Sequence, residues 1–417
     1  MYPFPQRGPV ADPSLAHRRA SSELTVVGAD GRPLADVEVV VGQRTHAFGF
    51  AATAFEFLPL VAGELDGALL EATRRVEQEW FEVFNWATLP FYWGWYEPRR
   101  GEPDRDRRMA TARWLQDRGV RVKGHPLVWH TETAKWLDGL STEEVERAQR
   151  ERIRRDVAEF AGVIDLWDAI NEVVIMPHFD KYPNGITRLS RELGRIETVR
   201  LAVDEARAAN PDATLLINDF DLSFAYDALL EGLLAAGVRI DAIGLQTHMH
   251  QGYRGEEQTL EIMERFARYG LPLHFTETTL VSGDLMPGHI EDLNDWQVDS
   301  WPSTEEGELR QAEDLERHLR TLFSHPSVEA FTYWNIWDEG AWLGAPAGLL
   351  RHDGTPKPAM DVLRRLVRDE WWTADHRLRT DEEGRVRVEG WKGDYALVAG
   401  GDEARFELGA TQQVRLG

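Results

Sequence analysis

The sequence predicts an α/β protein, a (β/α)8 or TIM barrel, joined to a small accessory β module formed by the two chain ends. Three observations lead there. Eight short apolar runs alternate with helix-like stretches rich in Glu, Arg and Ala between residues 46 and 370. Strand-like alternation with Gly turns returns at both ends of the chain. No GxGxxG-type phosphate loop opens a helix, which disfavours an open doubly wound sheet.

Taken in order, residues 1–21 are Pro-rich and read as a flexible tail. Residues 22–45 form a β segment, where SELTVVGADGRPLADVEVVVGQ (Ser22 to Gln43) predicts a hairpin about the Asp30-Gly31 turn. The barrel, residues 46–370, takes its strands from eight runs. These are AFGFA from Ala47, FEVFNW from Phe81, RVKGHPLVW from Arg121, VIDLWDAINE from Val163, ATLLIND from Ala213, DAIGLQTH from Asp241, LPLHFTE from Leu271 and EAFTYWNIW from Glu329. Residues 371–417 alternate again and are expected to pack with the N-terminal segment, since chain ends commonly lie close together.

Composition narrows the function. A net charge of −24 argues against nucleic acid or an anionic membrane as partner, because phosphate binding needs clustered Lys and Arg. The absence of cysteine excludes disulfides, thiolate metal sites and a cysteine nucleophile. The first twenty residues lack the apolar run of a signal peptide, and no segment is long and apolar enough to span a membrane, so a cytoplasmic protein is expected. Sixteen tryptophans suit both core packing and stacking on sugar faces.

In such a barrel, catalytic groups sit at the C-terminal ends of the strands. The runs end in His125 and His130, Asn171 and Glu172, Asn218 and Asp219, Gln246 with His248 and His250, Glu277, and Trp334, Trp337 and Asp338. Glu172 and Glu277 close strong apolar runs and, if both face the cleft, supply the acid and the nucleophile that glycoside hydrolysis needs. The competing reading leaves each at a strand end in solvent. No HExxH-like set accompanies the histidines, so neither metal nor cofactor is expected.

At these residues the sequence resembles the family 10 glycoside hydrolases, the retaining xylanase family. The stretches are GHPLVWH (Gly124 to His130), WDAINE (Trp167 to Glu172), INDFDL (Ile217 to Leu222), GLQTHMH (Gly244 to His250), HFTET (His274 to Thr278), WNIWDEGAW (Trp334 to Trp342) and GTPKPAM (Gly354 to Met360). The resemblance implies Glu172 as acid/base and Glu277 as nucleophile. It implies Asn171 on the sugar 2-hydroxyl, Gln246 and His248 holding Glu277 and its surroundings, His125 and Trp129 on the glycone side, and Trp334 and Trp342 as an aromatic wall. The implied activity is endo-1,4-β-xylanase-like hydrolysis of xylan or xylo-oligosaccharides. The alternatives are an exo-acting or other β-glycosidase on a non-xylan sugar or glycosylated small molecule, and a carbohydrate-binding protein that has lost catalysis. Oligomeric state stays open.

Three departures from the family pattern stand out. Thr279 replaces a carboxylate two residues after the nucleophile, and Glu132 replaces a Gln after the Trp129-His130 pair. After the second run, where the family binds the glycone with a Glu-Asn pair and a Lys, this chain has PFYWGWYEP (Pro90 to Pro98). In FNWATLPFYWGWY, Phe84 and Trp86 are expected to pack on the strand, and Phe91, Tyr92, Trp93, Trp95 and Tyr96 are candidates to stack on sugar or to narrow the site. A loop of about two dozen residues after the seventh run, with Trp296 and Trp301, is expected to be a lid or cleft wall.

Overall fold

A computed structural model describes residues 13–417. The chain enters through β1 (Arg19–Val27) and β2 (Glu38–Gln43). The barrel strands follow: β3 (Gly49–Thr53), β4 (Trp86–Pro90), β5 (Arg121–His125), β6 (Leu166–Asn171), β7 (Thr214–Asp219), β8 (Ala242–Met249), β9 (Leu273–Leu280) and β10 (Val328–Tyr333). The chain leaves through β11 (His376–Arg379), β12 (Arg385–Trp391), β13 (Asp394–Ala399), β14 (Asp402–Glu407) and β15 (Gln412–Arg415).

β3 to β10 close into a barrel in the order β10-β3-β4-β5-β6-β7-β8-β9. Neighbours along β3 to β10 pair in parallel. β3, β6 and β9 are buried at every position, as strands covered on both faces must be. Helices connect them. The helix Thr142–Phe160 shows why: Val145, Ile153, Val157 and Phe160 recur at helical spacing on its buried face. A capping box starts it, the Ser141 hydroxyl accepting from the Glu144 amide and the Glu144 carboxylate from the Ser141 amide. Gly124 is required where β5 meets β6, because a Cβ there would lie 2.1 Å from a ring carbon of Trp167.

The second run differs from the sequence expectation. Phe81 to Val83 finish the helix Gly67–Val83, Phe84 is its C-cap, and the strand starts only at Trp86. The physical reason is packing. Phe81 stacks on Phe57 and meets Trp114 edge-on, so this apolar run serves a helix face.

Contacts divide the described chain into two compact units, residues 50–322 with 327–360, and residues 13–49 with 323–326 and 361–417. The second unit holds two sheets, β12-β1-β15 and β11-β2-β13-β14, so both chain ends contribute to one β module. Leu24, Val26, Val39, Val41, Val388, Leu397 and Val414 share its core. β1 begins at Arg19 because Arg19 to Ser21 already pair with Trp391 to Glu389, inside the stretch read as a tail. Residues 1–12 of that tail lie outside the described residues. The predicted hairpin is replaced by a tight turn with the single bridge Val27–Pro33, after which β1 and β2 diverge into different sheets. Among the described residues no helix is long and apolar enough to cross a membrane.

Candidate active site

Two irregularities aim the key side chains. Between β8 and β9 the register passes from Leu245–Phe275 to Gln246–Glu277, so Thr276 is an extra residue on β9. Between β6 and β7 it passes from Asp168–Leu216 to Ile170–Ile217, which makes Ala169 the extra residue on β6. Because strand side chains alternate, one inserted residue reverses the face of everything beyond it. Glu172 then leaves β6 with φ +57°, a left-handed conformation uncommon for a non-glycine residue. Its amide is held by the Asn218 carbonyl at 2.8 Å.

The two glutamates are joined by a chain of amides. Glu277 Oε1 accepts from Asn218 Nδ2 at 2.7 Å, and the same Asn218 amide donates to Asn171 Oδ1 at 2.8 Å. Asn171 Nδ2 then donates to Glu172 Oε1 at 3.2 Å. Thr276 fixes the Asn218 orientation by donating to its Oδ1. On the other side of Glu172, the Trp129 indole donates to Oε2 at 2.8 Å. Glu277 Oε2 lies 3.1 Å from His248 Nε2, and His248 Nδ1 lies 2.8 Å from the Thr279 hydroxyl. His125 Nε2 is 3.9 Å from Glu277 Oε1, and its Nδ1 is 2.7 Å from Asp168, which Lys123 also binds at 2.8 Å.

Electrostatics follow from this arrangement. Burial, then the charge of Glu277, push the Glu172 carboxyl up to about 7, against the donors Trp129, Gln246 and Asn171. Burial also raises Glu277 to about 7, but His125 and Lys123 oppose it. The charge of Glu277 raises Glu172 while Lys123 opposes the rise of Glu277, so the electrostatics favour the proton on Glu172 over Glu277. Burial keeps His248 neutral, its value lowered to about 3.

The predicted site residues divide clearly. Glu172, Glu277, Asn171, Gln246, His125, His248 and Trp129 lie in one network. Gln246 differs from expectation: its amide donates to Asn171 Oδ1 at 3.1 Å and Glu172 Oε1 at 3.4 Å, so it serves Glu172 rather than Glu277. The Trp334 ring crosses His125 at 5.2 Å, and Trp342 lies 5.0 Å from the His248 ring. Tyr92 joins the site, its ring 5.7 Å from His125 and 5.2 Å from Trp129. Trp93 does not. Its indole donates to Glu97 at 3.1 Å, and its ring packs on Trp136 and under Arg152, because the backbone turns into the short helix Trp93–Tyr96.

Sequence reasoning gave no role to Asn218, Lys123, Asp168 or Phe55. Asn218 had a signal, its position at a strand end. Lys123 and Asp168 stood inside apolar runs, where a buried charge is itself a sign of pairing. Phe55 meets Tyr92 at 5.9 Å and Trp334 at 5.6 Å. In the long loop after β9, the Trp301 indole donates to the Asp284 carbonyl at 2.7 Å, and the ring lies 6.2 Å from His250. Glu132 is exposed. Among the described residues no cluster of His, Asp and Glu is arranged to hold a metal ion.

The family model for glycosyl hydrolase family 10 matches residues 90–365. The chain is 26% identical over 390 residues to anti-sigma-I factor RsgI6 of Acetivibrio thermocellus, covering 91% of this chain and 45% of that protein. It is 29% identical over 269 residues to endo-1,4-beta-xylanase B of Thermotoga neapolitana, covering 60% of this chain and 70% of that protein. It thus spans under half of the first relative's length. In fold it is similar to xylanase 10B of Thermotoga petrophila, solved with xylobiose, with a TM-score of 0.61 and 22% identity over 77% of this chain and 95% of that one. Xylanase 10B of Thermotoga maritima gives a TM-score of 0.61 and 24% identity over 76% of this chain and 94% of that one. The family match covers more than half of the 417 residues and includes both glutamates and the network between them, so this chain belongs to glycosyl hydrolase family 10.

Proposed function

We propose that the protein is a retaining β-glycoside hydrolase, endo-1,4-β-xylanase-like, acting on xylan or xylo-oligosaccharides. One observation carries the reading: two buried carboxyls, both raised toward neutrality, are linked through Asn171 and Asn218, with Lys123 opposing the rise on the Glu277 side. Such a pair divides into an acid and a nucleophile.

The steps follow from that division. Glu277 attacks the anomeric carbon while Glu172 gives its proton to the departing glycosidic oxygen, leaving a glycosyl ester on Glu277. Esterification removes the Glu277 charge, which lowers the Glu172 pKa and turns it from acid to base. Glu172 then takes a proton from water as the water's oxygen attacks the anomeric carbon. The ester opens, Glu277 is freed as a carboxylate, and the sugar keeps its anomeric configuration. The net charge of −24 favours a neutral polysaccharide over a polyanion.

Product analysis on xylohexaose and polymeric xylan tests the reading. Absence of turnover on every xyloside would exclude it. A second reading, an exo-acting or other β-glycosidase, is favoured by Phe55, Tyr92 and Trp95, an aromatic cluster where a glycone would need polar partners. A panel of aryl β-glycosides separates the two.

A further inference from the structure

His248 touches two groups of different character. Its Nε2 lies 3.1 Å from Glu277 Oε2, and its Nδ1 lies 2.8 Å from the Thr279 hydroxyl. An ionised carboxylate can only accept a hydrogen bond, whereas a hydroxyl can donate or accept. A neutral imidazole has one N–H. If Nε2 donates to Glu277, Nδ1 must accept, and Thr279 must donate to it. Thr279 is 2% exposed, so no bulk water competes for this position.

We infer that Thr279 is a positioning residue: Glu277 selects the Nε2–H tautomer of His248, and the Thr279 hydroxyl, donating to the bare Nδ1 where a carboxylate would hold a second proton, keeps the ring neutral, so that the nucleophile Glu277 receives a dipole rather than a full positive charge. This rests on the reading of Glu277 as nucleophile.

The groups around His248 agree. From β9 it is hydrogen-bonded to Glu277 and the uncharged Thr279. From the end of β8 it meets the His250 ring at 5.9 Å and the charge of Arg254, which disfavours a second proton. From beyond β10 it meets the rings of Trp334 and Trp342. Among the described residues Glu277 is thus the sole carboxylate hydrogen-bonded to the ring, and a hydroxyl cannot compensate an imidazolium in its place. The consequence is a more basic nucleophile, with an acidic limb of kcat/KM set by Glu277 beside a neutral partner.

Nitrogen-15 NMR of histidine-labelled protein tests this, with the His248 signals assigned by their loss in His248→Asn. At about pH 8, where Glu277 is ionised, the expected spectrum has Nε2 protonated and Nδ1 bare, and Thr279→Ser preserves it. Thr279→Asp gives His248 a second carboxylate. Both nitrogens should then be protonated near neutral pH, and the acidic limb of kcat/KM should move down by roughly 1–3 pH units, the effect of a cation placed beside Glu277. A doubly protonated His248 in the unmodified protein at neutral pH overturns the inference, as does a Thr279→Asp variant that folds and titrates like the parent. If Thr279→Asp does not fold, Thr279→Val carries the test: it keeps the shape and removes the donor, so Nε2 stays protonated against Glu277 while the bare Nδ1 signal shifts downfield on losing its hydrogen bond. An unchanged spectrum overturns the inference. The NMR measurement needs no substrate, so an enzyme inert on every glycoside counts against the proposed function and leaves the tautomer to be judged by the spectrum.

Discussion

The Trp129 indole and the Glu172 carboxylate share a 2.8 Å hydrogen bond, from Nε1 to Oε2. This bond favours the charged form of Glu172 and so opposes both burial and the charge of Glu277. Trp129→Phe keeps an aromatic ring and removes the donor. Hydrogen bonds to charged groups contribute about 1.5–3 kcal/mol, so the Glu172 pKa should rise by about one to two units. The basic limb of kcat/KM, which reports loss of the acid's proton, should move to higher pH by that amount. A limb that stays in place or moves down contradicts the role of Trp129.

The two glutamates should fail in different ways. Glu277→Ala removes the proposed nucleophile and should abolish turnover of every substrate. Azide can then occupy the vacated space and attack directly, giving the α-glycosyl azide. Glu172→Ala should slow turnover of poor leaving groups by about 10²–10⁴-fold and spare activated aryl leaving groups in the first step. Azide there attacks the glycosyl-enzyme and gives the β-glycosyl azide. Product stereochemistry by NMR checks both, and identical azides from the two variants would refute the division of labour.

Burial raises Glu56, Glu172 and Glu277 to about 7 and Asp219 to about 8. Between the ordinary carboxylate range near 4.5 and these values, the folded chain binds more protons than the unfolded one. Stability from these groups is therefore complete at low pH and falls as pH rises through the window. Glu277→Gln holds the neutral state permanently. It should raise Tm at pH 8 by about 2–5 °C and change it little at pH 5, where Glu277 already carries its proton. Thermal unfolding at the two pH values decides, and an equal gain at both contradicts the argument.

Much of this site is legible in the sequence because a barrel places strand ends together: Glu172 and Glu277 follow apolar runs, so their type and place already suggest the chemistry. What stays hidden depends on backbone path. The extra residues Ala169 and Thr276 arise from the register between strands that a helical connection separates. Tyr92 and Trp93 are equivalent by composition, and only the turn into the helix Trp93–Tyr96 sends one toward His125 and the other toward Trp136. FEVFNW satisfies both a helix face and a strand until Phe57 and Trp114 are known to lie against it. The diverging β1 and β2 have the same cause, since their partners lie more than 300 residues away in β11 to β15.

The aromatic loop after β4 gives the last prediction. Tyr92 is 8% exposed, wedged among Phe55, Trp95, His125 and Trp129, whereas Trp95 is 55% exposed and meets Tyr92 edge-on at 4.9 Å. An exposed ring can only add stacking that is equal in ground and transition states. Trp95→Ala should therefore raise KM for xylo-oligosaccharides by about 2–10-fold, the worth of one aromatic contact, with kcat within about twofold. Tyr92 is different, because its ring stands beside His125 and its phenol feels the charges of both glutamates. Tyr92→Ala removes a wall at the reacting sugar, so kcat should fall and the products of xylohexaose should shift toward longer glycone fragments. Chromatography of the products, with steady-state kinetics on the same oligomer, separates the effects. If Trp95→Ala lowers kcat instead, or Tyr92→Ala leaves the product pattern unchanged, this loop does not set the length of chain that the site accepts.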